Sequence, residues 1–134
     1  MDFQKNVYNT MKELVAIPSI SGTNQESIMA DKIYKKIVEI PYFKENSHNV
    51  GIEDIAGDPL GRSFVWALVN GKERDQSTFI LSGHLDVVGI EEFGHLKSVA
   101  FDVEKCTKKI SEMELDKNTR RDVESGNWIF GRSE

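Results

Sequence analysis

Residues 79–88 read Phe-Ile-Leu-Ser-Gly-His-Leu-Asp-Val-Val, and this stretch restricts the possible folds of the chain more than any other. Its first three residues are aromatic, β-branched or aliphatic, which predicts a buried strand ending at Ser82. Gly83 then allows the backbone to turn. His84 and Asp86 follow directly, so a sheet would hold both polar side chains rigidly at its edge. We therefore expect the candidate site at the end of this strand.

Two amphipathic helices are predicted before this strand. Residues 2–16 place apolar side chains at three- and four-residue steps, and Pro18 stops the pattern. Thr23 and Glu26 have the spacing of a capping box, in which each side chain satisfies a backbone N–H at a helix start. This spacing predicts a second helix over residues 24–40.

From Pro41 onward the pattern predicts strands and turns. Apolar and other residues alternate over residues 50–53, which is typical of a half-buried strand. Residues 63–69 form a continuous apolar run, which predicts a strand buried on both faces. Turns are expected at 57–61 and 70–76, where Gly, Pro, Asn and charged residues cluster.

The stretch 89–127 is mostly polar and is predicted to be a helical insertion. Asp102 and Asp116 can each cap a helix, and Gly126 can end the second one. Residues 128–130 predict a further strand. The order of helices and strands favours an α/β or α+β layer architecture in a single domain.

Composition narrows the function classes. The net charge of −5 argues against nucleic acid or an anionic membrane as the main partner. The longest apolar run is too short to span a bilayer, and no secretory signal is visible at the N-terminus. Cys106 is the only cysteine, so no intrachain disulfide can form. These features predict a cytoplasmic protein.

The pair His84 and Asp86 has two interpretations. A neutral imidazole is a good zinc ligand, and a carboxylate two residues later can orient the ring. The alternative is an ordinary hydrogen-bonded pair at a strand end. His95 could add a second ligand, but its loop position also suits a solvated residue. His48 lies in a polar turn, and Cys106 fits the apolar side of a helix.

Several segments resemble one known family. The Gly-His-Leu-Asp-Val-Val sequence of 83–88 and the Trp-Ile-Phe-Gly-Arg sequence of 128–132 resemble motifs of the zinc-dependent aminoacylase/carboxypeptidase metallohydrolases, which include ArgE- and DapE-like deacylases. Residues 14–19, Leu-Val-Ala-Ile-Pro-Ser, are similar to the first helix and turn of that family. The insertion at 89–127 fits a RocB-like branch that is associated with arginine utilisation.

The resemblance implies a function that the residues alone do not. His84 would be a metal ligand and Asp86 the catalytic carboxylate that orients it, in a site that holds two zinc ions in the intact enzyme. The fold would be a three-layer α/β/α domain with a mixed sheet. The reaction would be cleavage of an amide bond in an N-acyl amino acid or small peptide.

The other ligands of the family have no match in this sequence. The resemblance therefore implies that residues 1–134 are the N-terminal portion of the catalytic domain, interrupted at the second metal motif, where Ser133 replaces the usual glycine. We expect such a chain to bind zinc weakly, if at all, and to lack hydrolase activity. The alternative is a non-catalytic remnant that acts as an association module and forms a homo-oligomer through an uncovered sheet edge.

Overall fold

The computed structural model describes residues 3–73 and 77–132. The predicted turn residues 74–76 and the substituted glycine position at Ser133 lie outside this range. Within it, the α-helices are α1 (Phe3–Val15), α2 (Gln25–Val38), α3 (Pro41–Glu45), α4 (Val103–Ser111) and α5 (Lys117–Ser125). Short 3₁₀ segments cover Ser47–Asn49 and Glu91–Val99, the second of which is interrupted by a kink at Gly94, and the strands are β1 (Val50–Asp54) and β2 (Ser63–Ala67).

The structure confirms the two predicted N-terminal helices. The hydrogen bonds at the start of α2 differ from the prediction. The Thr23 hydroxyl accepts a hydrogen bond from the Gln25 N–H at 3.3 Å. The Glu26 carboxylate accepts from the Gly22 N–H at 2.7 Å, one residue earlier than a capping box requires. Hydrogen bonds from side chain to backbone are therefore present at the start of α2, but their backbone partners differ from those of a capping box.

Pro41 begins a helix, whereas the sequence predicted a change to strands at this residue. It occupies the first turn of α3, where a missing N–H costs nothing and the fixed φ of proline suits the helix. A 3₁₀ turn then leads into β1. Strand structure consequently begins only at Val50, as the alternation of residues 50–53 indicates.

β1 and β2 form an antiparallel pair, with Val50 opposite Ala67 and Asp54 opposite Ser63. Helix α2 packs against both strands. The prediction that β2 is buried on both faces is wrong, because Phe64 is 46% exposed. One helix covers only one face of a two-stranded ribbon, so the outward side chains of β2 remain in contact with solvent.

The predicted strand at 79–82 does not form, and this is the largest difference from the sequence analysis. Phe79, Ile80 and Leu81 are 93%, 84% and 93% exposed. Within the described ranges, the stretch 77–88 joins other chain segments in strand fashion only through a parallel bridge between Ile20 and Val87. A buried strand needs neighbouring strands on both sides, and none of the described residues supplies them here.

The predicted strand at 128–130 is also absent, and Trp128 is 57% exposed. The next residues are anchored instead by a backbone hydrogen bond of 2.6 Å from the Arg132 N–H to the Ala100 carbonyl. At Gly131, a side chain would meet Val15 Cγ1 at 2.7 Å. The tip of the described chain thus packs closely between α1 and the start of α4.

The helical stretch after Gly89 follows its predicted caps. The Asp102 carboxylate accepts from the Lys105 N–H at the start of α4, and Asp116 caps α5 in the same way. Gly126 ends α5 at φ +68°, in the left-handed region. Cys106 is fully buried, as expected for a core residue. Residues 89–127 are therefore largely helical, and their status as an insertion stays a prediction.

The architecture combines helices with a small antiparallel sheet, which is consistent with the α/β class. Its buried apolar residues lie between Val15 and Cys106 along the described chain, and they are Val15, Met29, Ala30, Phe43, Val50, Val87, Val99, Ala100, Val103 and Cys106. A search of the described residues found no helix with the length and apolar character needed to cross a membrane.

Candidate functional site

His84 lies on the surface between two clefts, and its ring lines both of them. Its side chain is 65% exposed. The ring therefore does not point into packed hydrocarbon, and an incoming group can reach it. The predicted rigid strand before it is missing, so other contacts must hold this part of the chain.

The Nδ1 atom of His84 faces two acceptors that belong to Asp86. The backbone carbonyl oxygen lies at 2.9 Å and the carboxylate Oδ1 at 3.1 Å. Since both partners accept hydrogen bonds, Nδ1 carries the proton in this arrangement. A neutral ring then has its lone pair on Nε2, the atom that can bind a metal ion or accept a proton.

The second carboxylate oxygen of Asp86 accepts a hydrogen bond from the Ser21 hydroxyl at 2.6 Å. This hydrogen bond is the main cause of a lowered pKa for Asp86, with a smaller contribution from His84. Asp86 is therefore ionised at neutral pH. Both of its oxygens are occupied, one by Ser21 and one by His84.

Backbone contacts with residues 19–21 take the place of the expected sheet. The Ser21 N–H donates to the Val87 carbonyl at 2.9 Å, and the Val87 N–H donates to the Ser19 carbonyl at 2.9 Å. The hydroxyl of fully buried Ser19 also donates to the Leu85 carbonyl at 2.9 Å. These three hydrogen bonds position residues 85–87, and through them Asp86 and His84.

The first cleft beside His84 is mainly apolar and has a volume of about 240 Å³. Helices α1 and α2 form its wall. Arg132 lies on its lining, where its Nε donates to the Val88 carbonyl at 3.2 Å. The Arg132 guanidinium also lies 5.6 Å from the centre of the Phe93 ring. A mixed wall of this kind suits an apolar group with a polar end.

The second cleft beside His84 has charged residues in its lining. Glu26 and Arg62 line it, together with residues of β2. Arg62 donates to Asp58 at 2.6 Å and approaches Glu26 at 3.8 Å. The Asp58 carboxyl is 3% exposed, and its hydrogen bonds from Arg62 lower its pKa to about 2. This ion pair fixes the turn before β2 and the orientation of Arg62.

The described residues fit one ligand position of a zinc site, not a complete site. A catalytic zinc ion needs about three protein ligands. A search of residues 3–73 and 77–132 finds no group of three His, Cys, Asp or Glu side chains that could hold a metal ion. His95 and His48 are exposed, and neither lines a cleft beside His84. The roles of His84 and Asp86 as metal ligand and catalytic carboxylate stay predictions.

The sequence analysis missed two contributors to this site, Ser21 and Arg62. The first had a usable signal, because Ser19, Ile20 and Ser21 alternate polar and apolar side chains as an extended segment does. Arg62 had no usable sequence signal, because its pairing with Asp58 depends on a turn whose shape the sequence does not specify.

Comparison with known proteins found two relatives, both from Bacillus subtilis (strain 168). Protein RocB is 43% identical over 119 residues, which are 89% of this chain and 21% of RocB. The uncharacterized protein YqjN is 35% identical over 124 residues, which are 91% of this chain and 22% of YqjN. The chain thus spans about a fifth of the length of these relatives. No family model matches it, and no solved structure matches it significantly.

Proposed function

We propose, from its sequence relationship to RocB, that this chain is the N-terminal segment of a RocB-like zinc metallohydrolase. The intact form would cleave the amide bond of an N-acyl amino acid or a small peptide, in a process linked to arginine utilisation. The domain around the chain would have the three-layer α/β/α architecture with a mixed sheet. No nucleic-acid or membrane partner is proposed, in keeping with the net charge of −5.

The observation that carries this proposal is the arrangement of His84. Its Nδ1 is held by Asp86, which places the lone pair of a neutral ring on Nε2, and its side chain is 65% exposed. A histidine that binds zinc commonly donates its other ring N–H to a carboxylate or carbonyl, which fixes the tautomer and raises the basicity of the ligand. Asp86 offers both kinds of acceptor.

The isolated chain is expected to be inactive under this proposal. The described residues supply one histidine ligand and one orienting carboxylate, which is too few to hold a catalytic zinc ion. Zinc titration by calorimetry should give weak binding or none. Binding at micromolar affinity that is lost in His84→Ala, and kept in His95→Ala, would contradict this expectation.

The proposed reaction is best tested in a chimera. The matching residues of RocB are replaced by this chain, and hydrolysis is measured with N-acyl amino acids that include an N-acyl arginine. We expect hydrolysis that requires zinc and falls by more than about 100-fold in His84→Ala, because loss of a ligand exceeds the cost of losing an orienting group. His95→Ala is the matched control and should retain activity. Equal activity of the His84→Ala chimera would refute the assignment.

A second candidate function is supported by the exposed residues 79–81. Three adjacent large apolar side chains, each more than four-fifths exposed, are unusual on the surface of a monomer. A non-catalytic association module would use this segment to form a homo-oligomer. Light scattering coupled to size-exclusion chromatography distinguishes the two candidates, because a clean monomer at high concentration speaks against the association module.

A further inference from the structure

We propose that Ser21 is the positioning residue of the His84–Asp86 pair. Its hydroxyl orients the Asp86 carboxylate, and the carboxylate in turn keeps the proton of the His84 ring on Nδ1. This inference concerns the pair itself. Only its consequence for metal affinity rests on the proposed function.

The first step of the argument is the geometry of the carboxylate. Asp86 Oδ2 accepts from the Ser21 hydroxyl at 2.6 Å, while Oδ1 accepts from His84 Nδ1 at 3.1 Å. One oxygen is thus held on each side, so the carboxylate cannot rotate without breaking one of these hydrogen bonds. The shorter hydrogen bond is the one to Ser21, which makes Ser21 the stronger anchor.

The second step concerns the direction of the Ser21 hydrogen. The same hydroxyl also lies 3.1 Å from the Val87 carbonyl oxygen. A hydroxyl has one hydrogen to donate, and an ionised carboxylate at 2.6 Å is a better acceptor than a neutral carbonyl at 3.1 Å. The hydrogen therefore points to Asp86. Ser21 contacts the carboxylate and not the imidazole, so it is not arranged as a nucleophile activated by histidine.

The third step is that the backbone places Ser21 independently of its hydroxyl. The Ser21 N–H donates to the Val87 carbonyl at 2.9 Å, and the Val87 N–H returns a hydrogen bond to the Ser19 carbonyl at 2.9 Å. Removal of the hydroxyl leaves both of these contacts intact. A substitution at Ser21 can therefore change the orientation of Asp86 while the segments 19–21 and 85–87 stay joined.

The consequence is a change in the tautomer of His84. Without Ser21 the carboxylate is free to turn away from the ring, and Nδ1 keeps the Asp86 carbonyl at 2.9 Å as its partner. A neutral carbonyl is a weaker acceptor than an ionised carboxylate, so the Nδ1–H form loses part of its stabilisation. Unconstrained imidazoles prefer the proton on Nε2, which would block that atom as a ligand. If the proposed function is right, zinc affinity of the intact site should fall by about 10- to 100-fold.

The test is nitrogen-15 NMR of the histidine ring in this chain, at alkaline pH where imidazoles are neutral. Long-range proton–nitrogen correlations distinguish the two tautomers. We expect the Nδ1–H form to dominate in the native chain, to fall in population in Ser21→Ala, and to regain its native population in Ser21→Thr, which keeps the hydroxyl. The amide signal of Val87 reports whether the two segments remain joined.

Thr119→Ala is the matched control, because the Thr119 hydroxyl also donates to a carboxylate, Asp116 Oδ2 at 2.5 Å, but lies in α5. It should leave the His84 tautomer unchanged. An unaltered tautomer in Ser21→Ala, or an altered one in Ser21→Thr with Val87 unperturbed, would overturn the assignment. The zinc-dependent activity of the chimera is measured separately, so failure of the proposed function does not decide this result.

Discussion

Residues 79–81 and residues 85–87 belong to one stretch and have opposite environments. Phe79, Ile80 and Leu81 are 84–93% exposed, whereas Val87 is 7% exposed. Both segments carry large aliphatic side chains, so hydrophobicity does not separate them. The difference lies in the backbone partners, since residues 19–21 bond to residues 85–87 and the described chain offers no such partner to residues 79–81.

This contrast shows how the site is positioned. A strand that leads into His84 was the expected support, yet the support comes from residues 19–21, far earlier in the chain. The candidate site is therefore built from the contact between residues 19–21 and residues 85–87. Changes in the exposed segment should leave it intact, and changes in the anchored segment should not.

The largest difference in the free energy of unfolding is expected when one aspartate is introduced into each segment in turn. Val87→Asp buries a charge without a partner and should lower the free energy of unfolding by about 3 kcal/mol or more. Leu81→Asp places a charge on a side chain that is 93% exposed and should change it by less than about 0.5 kcal/mol. Urea denaturation of both variants measures the difference. Equal destabilisation would mean that residues 79–81 are packed in solution.

A smaller effect is expected from the buried hydroxyl of the anchor. Ser19→Ala removes the hydrogen bond to the Leu85 carbonyl and should cost about 1 kcal/mol. Ser82→Ala, in the exposed part of the stretch, serves as its control and should be neutral. If Ser19→Ala were also neutral in urea denaturation, water would have to replace the lost hydrogen bond, and the anchor would rest on backbone contacts alone.

Carboxylates around the site should contribute to the acid sensitivity of the chain, whereas the exposed segment should not, since residues 77–83 contain none. The pKa of Asp58 is lowered to about 2 by Arg62, and that of Asp86 is lowered by Ser21. A lowered pKa contributes stability above the unfolded value near 3.8, and this contribution is lost as pH falls toward 2. Stability should therefore decline over this interval.

The matched variants for this pH dependence are Asp58→Asn and Asp86→Asn. Asp58→Asn should reduce the acid-induced loss of stability more than Asp86→Asn does. The Asp86 side chain is 38% exposed, so solvent screens its interactions. Thermal unfolding from pH 2 to pH 5 gives the profiles. A native decline that neither variant alters would assign the acid sensitivity to other carboxylates.

The smallest effect on stability is expected when residues 79–81 are all changed to serine. The triple variant removes exposed apolar surface that contributes little to packing, so the free energy of unfolding should stay within about 0.5 kcal/mol of the native value. Any self-association seen by light scattering should decrease. A large loss of stability in this variant would show that the segment has a folded partner.

The sequence predicted local structure well where the determinants are local. The periodicity of α1, the Asp102 and Asp116 caps, and Gly126 at the end of α5 are all confirmed. Each of these depends on residues within one or two helical turns. The strand β1 was also found, since alternation over a few residues suffices.

The sequence analysis failed where the conformation or the hydrogen-bond partner of a residue depends on a segment that is distant in the sequence. The run 79–82 has the composition of a strand, but strand formation requires a neighbour that composition does not reveal. For the same reason His84 and Asp86 were recognised as a pair, while the role of Ser21 was not. Hydrogen bonds that join residues 65 positions apart are set by tertiary packing, as for Ser21 and Asp86.

The buried thiol of Cys106 is a natural reporter of how often helix α4 opens. Desolvation raises the pKa of this thiol, and the side chain has no access to solvent while α4 stays packed. Alkylating reagents can therefore modify it only during excursions in which the helix opens. The labelling rate therefore measures how often α4 opens, and no probe has to be introduced.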